Sequence, residues 1–186
     1  MSRIPLRSIQ DAPEEAKPRL ETAQKNNGFL PNLVRLLANA PVALETYQTV
    51  SALNARTSLT LAEREAVQIT AAAIHGCAFC VAGHSAVAEK KAGLNRTIIE
   101  TLRDGGEVPD DRLDAVAQFT EAVIATRGAV DDYDLAAFQA AGFDNQAALE
   151  VVLGVSLATL CNFANNLGRP ELNPELLPYE WQGPRR

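Results

Sequence analysis

Apolar residues recur along this chain at spacings of three and four, the period of a helix half sunk in a core, and no stretch alternates as a half-buried strand does. Leu113, Val116, Ala117, Thr120, Val123 and Ile124 fall on one helical face in this way. Start and stop signals divide the pattern. Thr60 followed by Glu63 reads as a capping box, each side chain satisfying a free amide, and predicts a helix through Ala62, Glu65, Ile69 and Ala73 to a stop at Gly76. The next helix is expected from about Cys77 to near Gly93. Asn95 is placed to cap a short one over 97–103, closed by Gly105 and Gly106. Asp110 or Asp111, Asp131 or Asp132, and Asp144 are candidate caps for three more, with Gly142 stopping the second. Weaker helical stretches precede these over 14–24, 32–38 and 42–55.

Composition turns the pattern into a fold class. With 186 residues, 47% hydrophobic and 22% charged, the chain is long enough for one self-supporting core. The expectation is an all-α single domain over 1–186, with about seven to nine helices. The segment 151–168 carries no charge, but Gly154, Ser156, Thr159, Asn162, Asn165 and Asn166 interrupt it. It reads as the most buried helix of the core rather than a membrane span. Pro170, Pro174, Pro178 and Pro184 predict an extended tail over 170–186, with Leu176, Leu177, Tyr179 and Trp181 lying on the body or on a neighbouring subunit. A net charge of −6 argues against a nucleic-acid partner. The first residues, Met1 to Arg7, lack the apolar run of a secretory signal, so the expected compartment is the reducing cytoplasm. There a cysteine pair serves catalysis or metal binding more often than it forms a structural staple.

The chemistry concentrates in ten positions. Of three cysteines and two histidines, four are His75, Cys77, Cys80 and His84. Spacings of three and four stack Cys77, Cys80 and His84 on one helical face. A helix start at Cys77 stabilises a thiolate there, whereas His84, one turn on, favours Cys80 as the ionised thiol; the residues alone leave that choice open. Glu65, on the preceding helix, would reach His84 if the two helices pack antiparallel, holding its tautomer and raising its basicity. Three readings compete: two small buried hydrophobes, a zinc site of Cys77, Cys80, His84 and Glu65, and redox chemistry. A zinc site of structural type draws on a second distant pair, which the sequence lacks. His75 reads as an imidazolium at a helix C-terminus, Cys161 as an inert core residue, and Phe79 as an apolar wall at the mouth of the site. Asn162 and Asn165 are equally placed to line a pocket or to cap buried backbone.

Glu65, Cys77-Ala78-Phe79-Cys80 and His84 reproduce the spacing E-x11-C-x2-C-x3-H. In this the chain resembles the AhpD-like alkylhydroperoxidases of the carboxymuconolactone decarboxylase superfamily. The motif centre spans 60–93, and similarity extends over about 27–172, including Gly28-Phe29-Leu30-Pro31-Asn32 and Asn162-Phe163-Ala164-Asn165. The resemblance implies a thiol peroxidase without cofactor or metal. Cys80 would attack the hydrogen or alkyl peroxide, Cys77 would resolve the sulfenic acid as a disulfide, and Glu65 and His84 would relay protons. It further implies a dithiol or lipoylated protein as reductant and a homo-oligomer, trimer or hexamer. Phe79 stands where the best-characterised members carry a second histidine. The superfamily's decarboxylases lack the cysteine pair. A zinc-binding protein, a non-catalytic redox sensor on the same fold and a decarboxylase-like enzyme are the alternatives.

Overall fold

The computed structural model describes residues 2–183; Met1 and Pro184 lie outside them. Among the described residues are nine α-helices and no strand: α1 (Lys17–Asn27), α2 (Asn32–Leu37), α3 (Pro41–Asn54), α4 (Leu61–Ile74), α5 (Ala78–Lys90), α6 (Arg96–Asp104), α7 (Asp111–Thr126), α8 (Asp132–Ala140) and α9 (Asn145–Gly168). The caps are the ones the sequence marks. Thr60 Oγ1 accepts from Glu63 N while Glu63 Oε2 accepts from Thr60 N, and Asn95, Asp110, Asp131 and Asp144 each accept at the start of their helices.

Helix α4 is the central one. It packs on α5, α6, α7 and α9, and nine of its 14 residues are buried. Only nine of the 24 residues of α9 are buried. The expectation that the uncharged segment forms the most buried helix is therefore corrected. By length and composition α9 is the one helix among the described residues apolar enough to cross a membrane. In the fold it packs on α2, α3, α4 and α7 along one face and leaves Leu149, Val152, Phe163 and Leu167 exposed on the opposite one. The approach of α9 to α4 is close at Gly154, whose carbonyl accepts from Gln68 Nε2 at 2.9 Å. A Cβ at Gly154 would meet Val67 Cγ1 at 2.9 Å.

Two apolar clusters divide the interior. One joins α4, α6, α7, α8 and α9, with Phe119, Phe138 and Phe143 stacked at 4.3 and 4.4 Å between centroids. Its polar edge is Glu63, buried and gripped by Arg112 Nη2 at 2.9 Å and Nε at 3.0 Å. The other cluster joins α1, α2, α3, α9 and the α4–α5 junction, and it contains Cys77, Cys80 and Cys161.

The tail departs from its expected extended form. Proline fixes φ in a range that a tight helical turn also uses, and Pro174–Tyr179 is a 3-10 helix. It lies against α5, with Leu176 and Trp181 buried and Arg103 donating to the Tyr179 carbonyl. The tail thus covers the chain's own body.

Candidate active site

The site is built at the α4–α5 junction. Gly76 takes φ 66°, a left-handed conformation that turns the chain without a side-chain penalty. Cys77 N then donates to Ala72 O at 2.9 Å, and Cys77 becomes the N-cap of α5. Its sulfur accepts from Cys80 N at 3.3 Å, the place a serine or aspartate oxygen usually takes. Both sulfurs are nearly closed to solvent, with Cys77 1% and Cys80 4% exposed.

The turn makes α4 and α5 a helical hairpin, which brings Glu65 to His84 across it. Glu65 Oε2 lies 2.8 Å from His84 Nδ1, and Glu65 is only 7% exposed. Burial pulls the His84 pKa down, but the Glu65 charge and hydrogen bond, with the Cys77 charge, outweigh it and hold the imidazole above its ordinary 6.5. With Nδ1 engaged, Nε2 is left for chemistry.

The cysteines share their protons unequally. Cys80 donates its S–H to Cys77, and this foremost holds Cys77 below the ordinary thiol value against the opposing effect of burial. The Cys80 N–H, Asn165 and the His84 charge add to it. Cys80 is held well above that value, first because its proton is engaged with Cys77, then by burial and the charges of Cys77 and Cys161. The pair is best described as a hydrogen-bonded dithiol in which Cys77 carries the first negative charge. Asn165 Nδ2 reaches over from α9 and donates to Cys80 Sγ at 3.1 Å. Asn165 Oδ1 is buried without a partner.

The two sulfurs open on different sides. Cys80 and His84 line a cavity of about 380 Å³ together with Tyr47, Gln68, Phe79 and Leu157. The groove on the Cys77 side is lined by Gly76, Ala78, Phe79, Asn165 and Arg169. Phe79 separates them, in the wall position expected of it. Tyr47 has its phenol pushed up, by burial first and then by the charges of Cys161, Cys80 and Glu65, so it stays a neutral hydrogen-bond donor.

All four sequence-predicted residues, Cys77, Cys80, His84 and Glu65, are brought together. Among the described residues no group of three His, Cys, Asp or Glu side chains is set to hold a metal ion. His75 is the C-cap of α4, as expected, but burial lowers its pKa, which works against the charged form there; it lies edge-on to Phe163, with Asn162 Nδ2 3.1 Å from its Nδ1. Asn162 therefore supports His75, and Asn165 alone of the two touches the sulfurs. Cys161 lies on the cavity wall with its pKa raised to about 12, by burial first and then by the Cys77 charge, and so stays a thiol. Tyr47 and Gln68 were not legible as site residues. Gln68 had a weak signal, one turn beyond Glu65 on the same helix; Tyr47 had none.

The carboxymuconolactone decarboxylase family pattern matches residues 41–131, the span that carries α3 to α7 and every one of the four predicted residues. No curated protein matches the chain. Among solved structures, an alkylhydroperoxidase AhpD core protein from Ralstonia eutropha JMP134, described as an uncharacterized peroxidase-related protein, superposes with a TM-score of 0.84 at 23% identity, covering 94% of each chain. An uncharacterized peroxidase-related protein from Silicibacter sp. TM1040 gives 0.80 at 18% identity, covering 94% of this chain and 92% of that one. A cysteine-to-alanine variant of the debrominase Bmp8, in complex with 2,3,4-tribromopyrrole, gives 0.77 at 16%, covering 95% and 94%. At such identities the likeness is one of fold. Fold and family pattern agree over the helices that hold the dithiol: residues 41–131 match the carboxymuconolactone decarboxylase family, and the chain has the all-α AhpD-like fold.

Proposed function

We propose that this chain is a thiol peroxidase that reduces hydrogen or alkyl hydroperoxides through a Cys77–Cys80 dithiol–disulfide cycle. The observation that carries the reading is a proton-sharing cysteine pair at a helix start, beside an imidazole held by a buried carboxylate on the same cavity as Cys80.

The cycle balances with the groups present. Cys77 takes the proton of Cys80, and the Cys80 thiolate attacks the distal peroxide oxygen. The O–O bond breaks, Cys80 becomes a sulfenic acid, and His84 protonates the departing alkoxide. His84 then accepts the Cys77 proton. The Cys77 thiolate attacks the Cys80 sulfur, forming the disulfide, and the expelled hydroxide leaves as water with that proton. A dithiol donor, free or on a lipoylated protein, attacks Cys77 from its groove, releases Cys80, and departs as its own disulfide. Such a cycle needs a reducing compartment, and we assign it to the cytoplasm. The exposed α9 face of Leu149, Val152, Phe163 and Leu167 supports assembly with further copies of the chain, as a trimer or hexamer.

The test is peroxide consumption with dihydrolipoamide as donor, alongside a thiol count. Each equivalent of peroxide should consume both thiols, and C80S and C77S should both lose turnover. Full consumption by C80S would overturn the assignment of Cys80 as the attacking thiol. The debrominase similarity supports a second reading on the same sulfurs, since the cavity of about 380 Å³ admits a halogenated ring. Replacing bromide by hydrogen would oxidise the dithiol and release hydrogen bromide, so bromide release from 2,3,4-tribromopyrrole distinguishes it.

A further inference from the structure

The cavity at Cys80 is larger and more polarised than hydrogen peroxide requires. That molecule needs little more than the ~30 Å³ of a water, against about 380 Å³ at Cys80. One face of α5 with its C-cap, namely Cys80, Gly83, His84, Val87, Lys90 and Lys91, forms its floor from end to end. At 1.5 Å of rise per residue, the thiol and the last lysine are about 16 Å apart, a span of about a dozen carbons in an extended chain. The rest of the lining is mainly apolar, from Phe29, Leu33, Leu157 and Leu176, with Ser51 and Gln68 as polar positions among it. At the far end Lys90 and Lys91 are exposed; Glu175 is the one carboxylate that lines the cavity with them, while Glu89 is held on the Tyr179 hydroxyl outside the lining, so the lining there is net positive on a chain of net charge −6. Lysines at a helix C-terminus complement its dipole, but these two also line the cavity, and Lys90 is steadied over the Tyr179 ring at 5.3 Å.

The geometry points to a hydroperoxide of the fatty-acid class as the substrate, its carboxylate at Lys90 and Lys91, its chain along the apolar walls and its peroxide at Cys80. This rests on the peroxidase reading above. The chemistry is unchanged: the Cys80 thiolate takes the distal oxygen, and the chain alkoxide leaves as the hydroxy acid with the His84 proton. Gly83 keeps the floor low midway, where a Cβ would touch Leu176 Cδ1 at 4.0 Å.

The experiment compares linoleic acid hydroperoxide with its methyl ester, in the native chain and in a K90Q/K91Q double variant. The native chain should prefer the acid in kcat/KM by about tenfold, and the double variant should lose that preference through KM. Calorimetry of hydroxystearate binding supplies a readout without turnover, and the double variant should weaken that binding about tenfold as well. Equal kcat/KM for acid and ester, with hydroxystearate binding unmoved by the double variant, would overturn the inference while leaving the peroxidase intact. Binding of hydroxystearate that depends on the lysines, with no peroxide turned over, would support the channel and overturn the peroxidase reading instead.

Discussion

Asn165 Nδ2 stands 3.1 Å from Cys80 Sγ although 85 residues separate the two in sequence. The amide steadies negative charge on the cysteine pair, since it acts on both sulfurs. A hydrogen bond to a charged group contributes about 1.5–3 kcal/mol. N165A should therefore move the first thiol ionisation to higher pH and slow the peroxide reaction about tenfold at neutral pH. Thiolate absorbance against pH measures the first, and single-turnover rates the second.

The Glu65–His84 pair gives a pH signature of definite sign. The folded His84 pKa lies above 6.5, so the pair stabilises the fold fully below that pH and loses its contribution as pH rises through the folded value. E65Q should lower the Tm more at about pH 6 than at about pH 9. The His84 midpoint, followed by NMR, should fall in the same variant. An unmoved midpoint would remove Glu65 from the relay.

Cys161 should take no part in the chemistry. Its pKa of about 12 keeps it protonated, so iodoacetamide at neutral pH should label Cys77, the thiol of the pair that ionises first, and spare Cys161, as mass mapping would show. C161A should keep turnover within about twofold and cost about 1 kcal/mol for the small cavity it opens.

Gly154 sets the distance between the helices that carry Glu65 and Asn165. In G154A the new methyl group meets Val67 Cγ1 at 2.9 Å. Overpacking costs about 1–3 kcal/mol and helix propensity returns about 1. The net loss should be about 1 kcal/mol in urea unfolding, with a further fall in peroxide rate as α9 shifts Asn165 away from Cys80. A variant as stable and as fast as the native chain would show that α9 accommodates the methyl group.

Much of this molecule is local, and local features were legible. Thr60 with Glu63, Asn95, Asp110, Asp131 and Asp144 each mark a helix start, because a cap is a contact within four residues. The three-and-four spacing of Cys77, Cys80 and His84 is of the same kind. Two expectations failed where hydropathy or proline content was asked about packing. Helix α9, uncharged over 151–168, is amphipathic only against its neighbours, and α4, charged at Glu63 and Glu65, is buried because Arg112 and His84 answer those charges. The tail's prolines close into a 3-10 turn because Leu176 and Trp181 find the body of the domain.

The sequence alone determined an all-α chain and the stacking of Cys77, Cys80 and His84, since both follow from short-range periodicity; Glu65 joins them only through the packing of α4 on α5. The sequence left open which cysteine ionises first, whether Asn162 or Asn165 belongs to the site, and what His75 does. Tertiary structure decided these, because each depends on contacts between segments far apart in the chain. Proton sharing between the sulfurs follows from the hairpin turn at Gly76 and from burial. The amide at Cys80, and the contact of Asn162 with His75, come from how α9 lies across the α4–α5 junction.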